Sequence, residues 1–244
     1  MTWHRRELIL GELGLLPRWV PRSRPRTAEG TAVAVDLPPP LAEPQERDAR
    51  ILRSGWVELK QMVKTCTDCP LHAARRQSVF GVGDESADWL FVGEGPGAEE
   101  DARGEPFVGQ AGRLLDNMLS AIGLKRGVDV YIANVVKCRP PGNRVPEPVE
   151  AARCEPYLLR QIQLIAPKLI VALGKTAASH LLRTDASIGS LRGRLHEFRG
   201  TALLVTYHPA YLLRSLADKA KAWEDLCLAR EAMTRLKAGQ PAIH

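Results

Sequence analysis

Four short, largely apolar runs, separated by amphipathic stretches, constrain the fold of this chain more than any other feature. "WLFVG" (Trp89–Gly93), "VYIANVV" (Val130–Val136), "KLIVALG" (Lys168–Gly174) and "ALLVTY" (Ala202–Tyr207) read as strands. Their apolarity is continuous instead of alternating, as a strand covered on both faces requires, so they predict a parallel sheet. Helical spacing marks Gly112–Ile122, Glu147–Ile165, Thr176–Leu182 and Leu216–Leu236 between and after them. The expectation is an α/β fold, a three-layer α/β/α sandwich with a central four-stranded parallel sheet, whose ligands sit beyond the carboxyl ends of the strands.

A chain of 244 residues has room for one good-sized domain and an appendage. Its formal charge of +6 suggests a polyanion partner until it is located: six arginines against two glutamates in residues 1–26 account for +4. The remainder is nearly balanced, so a nucleic-acid surface would have to come from local clustering. Six of the eighteen prolines fall between Pro21 and Pro44, where large apolar residues are few. This composition predicts a basic, proline-rich arm and linker over 1–50, a folded domain over 51–238 and a tail over 239–244. No internal repeat appears, which excludes solenoids and propellers. No apolar run approaches the roughly 18 residues of a membrane span, and the early "ELILGELGLL" is broken by Glu7 and Glu12. The chain reads as cytosolic.

The loops after the strands hold the candidate chemistry. "GEGPGAEED" (Gly93–Asp101) makes a tight turn whose amides can approach a ligand closely. It fails the dinucleotide pattern at Ala98, and Glu94, Glu99, Glu100 and Asp101 would repel phosphate, so an uncharged ligand with hydroxyl or imide groups suits it better. Asn134, ahead of "KCRPPGNR" (Lys137–Arg144), carries the donor and acceptor set that reads a base edge; a satisfied turn asparagine is the alternative. "GKTAAS" after the third strand imitates a phosphate loop, but the glycine required at position 169 is Leu. Gly174 is expected only to begin a helix. His208, held extended by Pro209, projects toward the same rim as Gly93 and Asn134.

Cys66 and Cys69 form a C-x2-C pair, and Cys138 and Cys154 follow. Four thiols in a cytosolic chain predict a metal centre instead of disulfides, with zinc and iron-sulfur both open. Cys227, beside Trp223 and Arg230, reads as packing.

Taken together, "CTDCPLH", "VGEGPGAEED", "PFVGQAGRLLD", "NVVKCRPPGNR", Cys154 and "HPAYLLR" resemble, in order and spacing, the family 4 uracil-DNA glycosylases, over about Trp56 to Met233. The resemblance implies an enzyme that flips uracil out of single- or double-stranded DNA, hydrolyses its N-glycosidic bond and leaves an abasic site. It implies a monomer and a structural [4Fe-4S] cluster on Cys66, Cys69, Cys138 and Cys154. It implies a uracil site of Gly93, Glu94, Gly95, Phe107, Asn134 and His208, with Phe107 stacking on the base, Asn134 reading N3 and O4, and His208 with the backbone amides stabilising charge on O2. Family 1 relatives carry a water-positioning aspartate where this chain has Gly95, which leaves Glu94, Glu99 and Glu100 as candidates for that role, with Asp101 capping the following segment instead. Leu212 falls at the place of the apolar wedge, and Arg139, Arg144 and Arg214 are candidate phosphate contacts. A related protein that crosslinks to uracil-DNA without turnover is the alternative. It has a glutamine after the motif's glutamate and a histidine in the loop after the second strand, and this chain has neither.

Overall fold

A computed structural model describes residues 44–242. The arm expected over 1–50 therefore lies mostly outside the described residues, as does the end of the tail. Helix α1 (Pro44–Arg53) begins upstream of Ile51, the expected start of the domain; Ile51 is fully buried, and Arg47 donates to Asp68 Oδ2 (2.6 Å) and to the Arg153 carbonyl (3.0 Å). The chain continues through α2 (Trp56–Thr65), β1 (Val82–Gly83), β2 (Trp89–Gly93), α3 (Ala98–Arg103), α4 (Gln110–Ala121), β3 (Val130–Asn134) and α5 (Pro148–Ile165). It then forms β4 (Leu169–Leu173), α6 (Lys175–Leu182), α7 (Ile188–Leu191), β5 (Leu195–Phe198), β6 (Thr201–Thr206), α8 (Pro209–Leu212) and α9 (Asp218–Lys237). No helix among the described residues is long and apolar enough to cross a membrane.

The sheet has six strands in the order β1-β3-β2-β4-β6-β5, which corrects the expected count of four. The four expected strands form its centre and run parallel; β1 and β5 add antiparallel edges. Both additions were unreadable for a physical reason. The strand β1 has two residues, and β5 is half-exposed with the polar sequence LHEF, so neither carries the continuous apolarity of a covered strand.

Every residue of β2, β3 and β4 is buried, and successive side chains face opposite layers. Leu90, Val92, Ala133, Ile170 and Val205 enter one core with Ile51 of α1, Leu59 of α2, Ile162 of α5 and Ala178 of α6. Phe91, Ile132, Val171 and Leu204 enter the other with Leu115 and Leu119 of α4 and Leu226 and Met233 of α9. Fully burying one such large side chain contributes about 1.5–3 kcal/mol, and the two cores make the three layers. From β2 the chain steps to β3 on one side and then crosses to β4 on the other. The helices before and after this crossing diverge, which opens a crevice at the carboxyl end of β2. Helix α5 has a sharp start, with Pro148 in its first turn and a reciprocal capping box between Glu147 and Glu150.

Candidate active site

The crevice contains a cavity of about 510 Å³ whose lining includes Glu94, Gly95, Glu100, Phe107, Asn134 and His208. Each side chain arrives from a strand end or the loop after it. Asn134 is the last residue of β3 and pairs in register with Gly93 at the end of β2. It is 2% exposed, and its Oδ1 has no hydrogen-bond partner among the described residues. A buried, unpaired carbonyl oxygen costs roughly 1–3 kcal/mol, so the folded protein holds an acceptor ready for a donor from a ligand. Gly93 does not itself line the cavity. Its role is room: a Cβ there would lie 2.5 Å from Asn134 Oδ1 and 2.6 Å from the Phe107 ring.

Phe107 has φ +55°, a left-handed conformation that is uncommon for an aromatic residue. Arg126 donates to the Pro106 carbonyl (3.0 Å) and the Phe107 carbonyl (2.8 Å), which fixes this turn from the other side of α4. Gly112 completes it, since a Cβ there would meet the Phe107 carbonyl oxygen at 1.8 Å. The Phe107 ring centroid lies 5.5 Å from that of His208, tilted by 31°.

His208 caps α8, accepting through Nδ1 from the Ala210 N–H at 3.1 Å. Burial, reinforced by the Arg214 charge, pushes its pKa down to about 4. The ring is thus neutral at ordinary pH, and because Nδ1 accepts, the proton sits on Nε2, which can only donate. Gly174 begins α6 as expected, with φ +88°; a Cβ there would press on His208 Cβ at 2.8 Å.

The three acidic candidates separate. Glu94 lines the cavity and accepts from the Thr176 hydroxyl. Glu100 also lines it, with Oε1 accepting from the Val108 and Gly109 amides at 3.0 and 3.1 Å. Glu99 is exposed on α3 outside the cavity lining. Asp101 caps nothing downstream: it is 2% exposed, and both its oxygens accept from the Arg76 amide, which anchors the segment after the C-x2-C pair.

The DNA-side candidates divide as well. Arg214 is exposed at the cavity rim. Arg139 lies outside the lining and donates to Asn143 Oδ1 (2.7 Å). Arg144 reaches the rim, but its guanidinium is engaged by both oxygens of Glu150 at 2.7 and 2.8 Å, and Glu150 is 1% exposed. A cation committed to a buried carboxylate has little left for phosphate, so its expected role is corrected to bracing the loop. Leu212 is not the wedge: it is 1% exposed and packed into the core with Phe107 and Leu115. The short helix turns its neighbours outward instead, leaving Tyr211 at 39% and Leu213 at 40% exposed.

Cys66, Cys69, Cys138 and Cys154 line one small void with Arg75, Arg153 and Lys137. No group of three or more His, Cys, Asp or Glu among the described residues is set to hold a single metal ion. The donor set nevertheless fits a thiolate-held centre. Arg75 Nη1 donates to Cys138 Sγ at 2.8 Å and the Lys137 amide to Cys154 Sγ at 3.3 Å, placing positive and N–H donors where thiolate charge would sit. Without such a centre, burial pushes the Cys69, Cys138 and Cys154 thiols up, Cys154 to about 12. Cys227 lies on α9 at intermediate exposure, away from the four.

Three contributors were invisible in the sequence. Arg126 and Lys137 act through backbone carbonyls, and Thr176 belongs to the rejected phosphate-loop imitation. No local pattern signals a side chain that supports another across the fold.

A doubly wound sheet with a cavity of about 510 Å³ at its switch point has a counterpart among known families. The chain belongs to the uracil DNA glycosylase superfamily, whose family model matches residues 80–227. Its relatives include the Type-4 uracil-DNA glycosylase of Thermotoga maritima, 48% identical over 67% of this chain and 85% of that protein. The Type-4 uracil-DNA glycosylase of Pyrobaculum aerophilum is 42% identical over 70% and 91%, and that of Archaeoglobus fulgidus 43% over 64% and 82%.

Proposed function

We propose that this protein is a DNA-repair glycosylase that flips uracil out of DNA and hydrolyses its N-glycosidic bond, releasing the free base. The observation that carries this reading is the orphaned Asn134 Oδ1, buried beside the Phe107 ring in a cavity of about 510 Å³. Uracil offers an N3–H donor to that oxygen and an O4 acceptor to the amide NH2. Cytosine reverses both, setting acceptor against acceptor, so a single asparagine discriminates. Stacking of the base on Phe107 contributes about 1–3 kcal/mol, helping to offset the cost of unstacking it from DNA.

Bond cleavage leaves negative charge on uracil O2 and positive charge on the sugar. The neutral His208 donates from Nε2, and the turn amides at Glu94 and Gly95 are the further donors for that anion. A preorganised donor of this kind is worth about 2.7–4 kcal/mol of barrier. The carboxylates of Glu94 and Glu100 are the lining groups able to hold the attacking water and to face the cationic sugar. Arg214 meets phosphate at the rim, and Leu213 or Tyr211, not Leu212, fills the space left by the flipped base.

Cys66, Cys69, Cys138 and Cys154 would hold a [4Fe-4S] cluster, with Arg75 and the Lys137 amide donating to its sulfurs. When bound, it supplies a covalent crosslink between the segment after α2, the loop after β3 and helix α5.

The test is anaerobic purification followed by measurement of colour, iron and free uracil released from a uracil-containing oligonucleotide. Brown protein that releases uracil and leaves an abasic strand is the expected result. An intact strand, or a covalent adduct in place of free uracil, overturns the enzyme reading.

A further inference from the structure

Lys137 lies between the four cysteines and the base-reading asparagine and is buried, at 1% exposure. Its backbone N–H donates to Cys154 Sγ at 3.3 Å, and the next residue is Cys138. Its ammonium turns the other way, donating to the Asn134 carbonyl at 2.9 Å and to Gln161 Oε1 at 2.6 Å. Gln161 is itself fully buried and donates to the Phe80 carbonyl at 2.9 Å, while the Lys137 carbonyl accepts from the Val79 amide at 2.7 Å. One residue therefore bonds to the sulfur clamp through its main chain and to the last residue of β3 through its side chain.

Two facts make this more than packing. Among the described residues no carboxylate pairs with the Lys137 ammonium, and both of its acceptors are neutral. A buried ammonium bonded only to neutral acceptors relies on each of those bonds, so the hold of the clamp on the Lys137 backbone fixes the bond to Asn134. The Asn134 carbonyl also belongs to the last residue of β3, ahead of the Val135 and Val136 amides that donate to the Gly93 and Glu94 carbonyls at 2.9 and 3.1 Å. Movement of that carbonyl shifts the Asn134 side chain, which lines the cavity.

We propose that Lys137 is a positioning residue that ties Asn134 to the four-cysteine clamp, so that the integrity of the clamp sets how firmly the cavity holds uracil. This rests on the reading of the cavity as a uracil site and of the cysteines as cluster ligands. Because coupling of this kind is reciprocal, uracil in the cavity must protect the cluster in return.

The experiment uses the full chain with its cluster and an oligonucleotide carrying 2′-fluoro-2′-deoxyuridine, whose electron-poor sugar resists cleavage. Loss of visible absorption under chelator is followed with this strand, with the matching thymidine strand and with neither. In the unaltered protein the uracil strand is expected to raise the chelator concentration that half-bleaches the cluster at equilibrium about tenfold, and the thymidine strand not to raise it. Lys137→Met should bind the uracil strand about tenfold more weakly, bind the thymidine strand unchanged and show no protection, while Lys137→Arg restores part of both. Bleaching of the unaltered protein that ignores a tightly bound uracil strand overturns the proposal, whether or not the variant folds. So does a folded, brown Lys137→Met that binds uracil as tightly as its parent. Either result leaves the glycosylase reading standing, whereas failure of the unaltered protein to prefer the uracil strand removes that reading first.

Discussion

Gly93 and Asn134 sit side by side at the ends of β2 and β3, so close that a methyl group on residue 93 would come within 2.5 Å of Asn134 Oδ1. The same methyl would reach the Phe107 ring at 2.6 Å, and neither neighbour is the loose end of a flexible side chain. Gly93→Ala is therefore expected to displace the Asn134 amide and the Phe107 ring together. A misplacement of about 1 Å at a reacting centre costs on the order of 100-fold, so single-turnover uracil release should fall by at least that much. A fully active Gly93→Ala would mean that the base does not rest on these two groups.

Phe107→Leu keeps an apolar side chain and removes the stacking face. The expected loss is about 1–3 kcal/mol, a factor of roughly 5 to 150 in kcat/KM, measured on uracil oligonucleotides. A loss in thermal stability with unchanged kcat/KM would assign the ring to the core alone.

His208 defines a pH window. Burial depresses its pKa to about 4, so single-turnover cleavage should show no limb from this group between pH 8 and 5. The stability sign follows from the same depression. As pH falls below about 6.5, the unfolded chain takes up a proton on this ring before the folded chain does. The contribution of His208 to stability is thus present above about 6.5 and declines as pH falls toward 4. His208→Gln, an uncharged donor, should flatten that part of the melting-temperature profile and retain more activity than His208→Ala. An activity limb near 6.5 that vanishes in His208→Gln would show the imidazole to be accessible and titrating normally.

Adjacent leucines should part company. Leu212→Ala removes a core side chain at 1% exposure and is expected to cost about 2–5 kcal/mol, seen as an earlier thermal or urea transition. Leu213→Ala, at 40% exposure, should leave the melt nearly unchanged and weaken uracil excision from duplex more than from single strands. Equal behaviour of the two in both assays would contradict the orientation of α8.

Arg144 and Arg214 form a second contrasting pair. Arg214→Gln should weaken DNA binding for all sequences and reduce the slope of log K against log salt by about 1. Arg144→Gln leaves Glu150, 1% exposed, without its guanidinium, so its main effect should be on stability, with the salt slope unchanged. A salt slope that drops for Arg144→Gln would return that arginine to the phosphate contacts.

The inner sheet was legible because each of β2, β3 and β4 is buried along its whole length, and a strand covered on both faces must be apolar at every position. The rim was legible because ligands collect at strand carboxyl ends, and Gly93, Asn134 and His208 each stand at or just after one. The edge strands were not legible, since their half-exposed residues carry no distinct period. Nor could the acidic turn be sorted. Glu99 and Glu100 are adjacent, yet the start of α3 turns Glu100 to the cavity and Glu99 to solvent.

Determined by sequence alone were the layered α/β/α class, the converging loops, the four-thiol set and the family resemblance. These depend on which residues occur and how far apart they lie along the chain, and hydrophobic period and motif spacing record both. Tertiary structure alone decided that Leu213 faces out where Leu212 was expected, that Glu150 takes the charge of Arg144, and that Lys137 bridges the cysteines and Asn134. The first depends on the rotation of a single helical turn, and the other two on polar partners that meet only once the chain has folded. Distance in space, not order in sequence, sets those interactions.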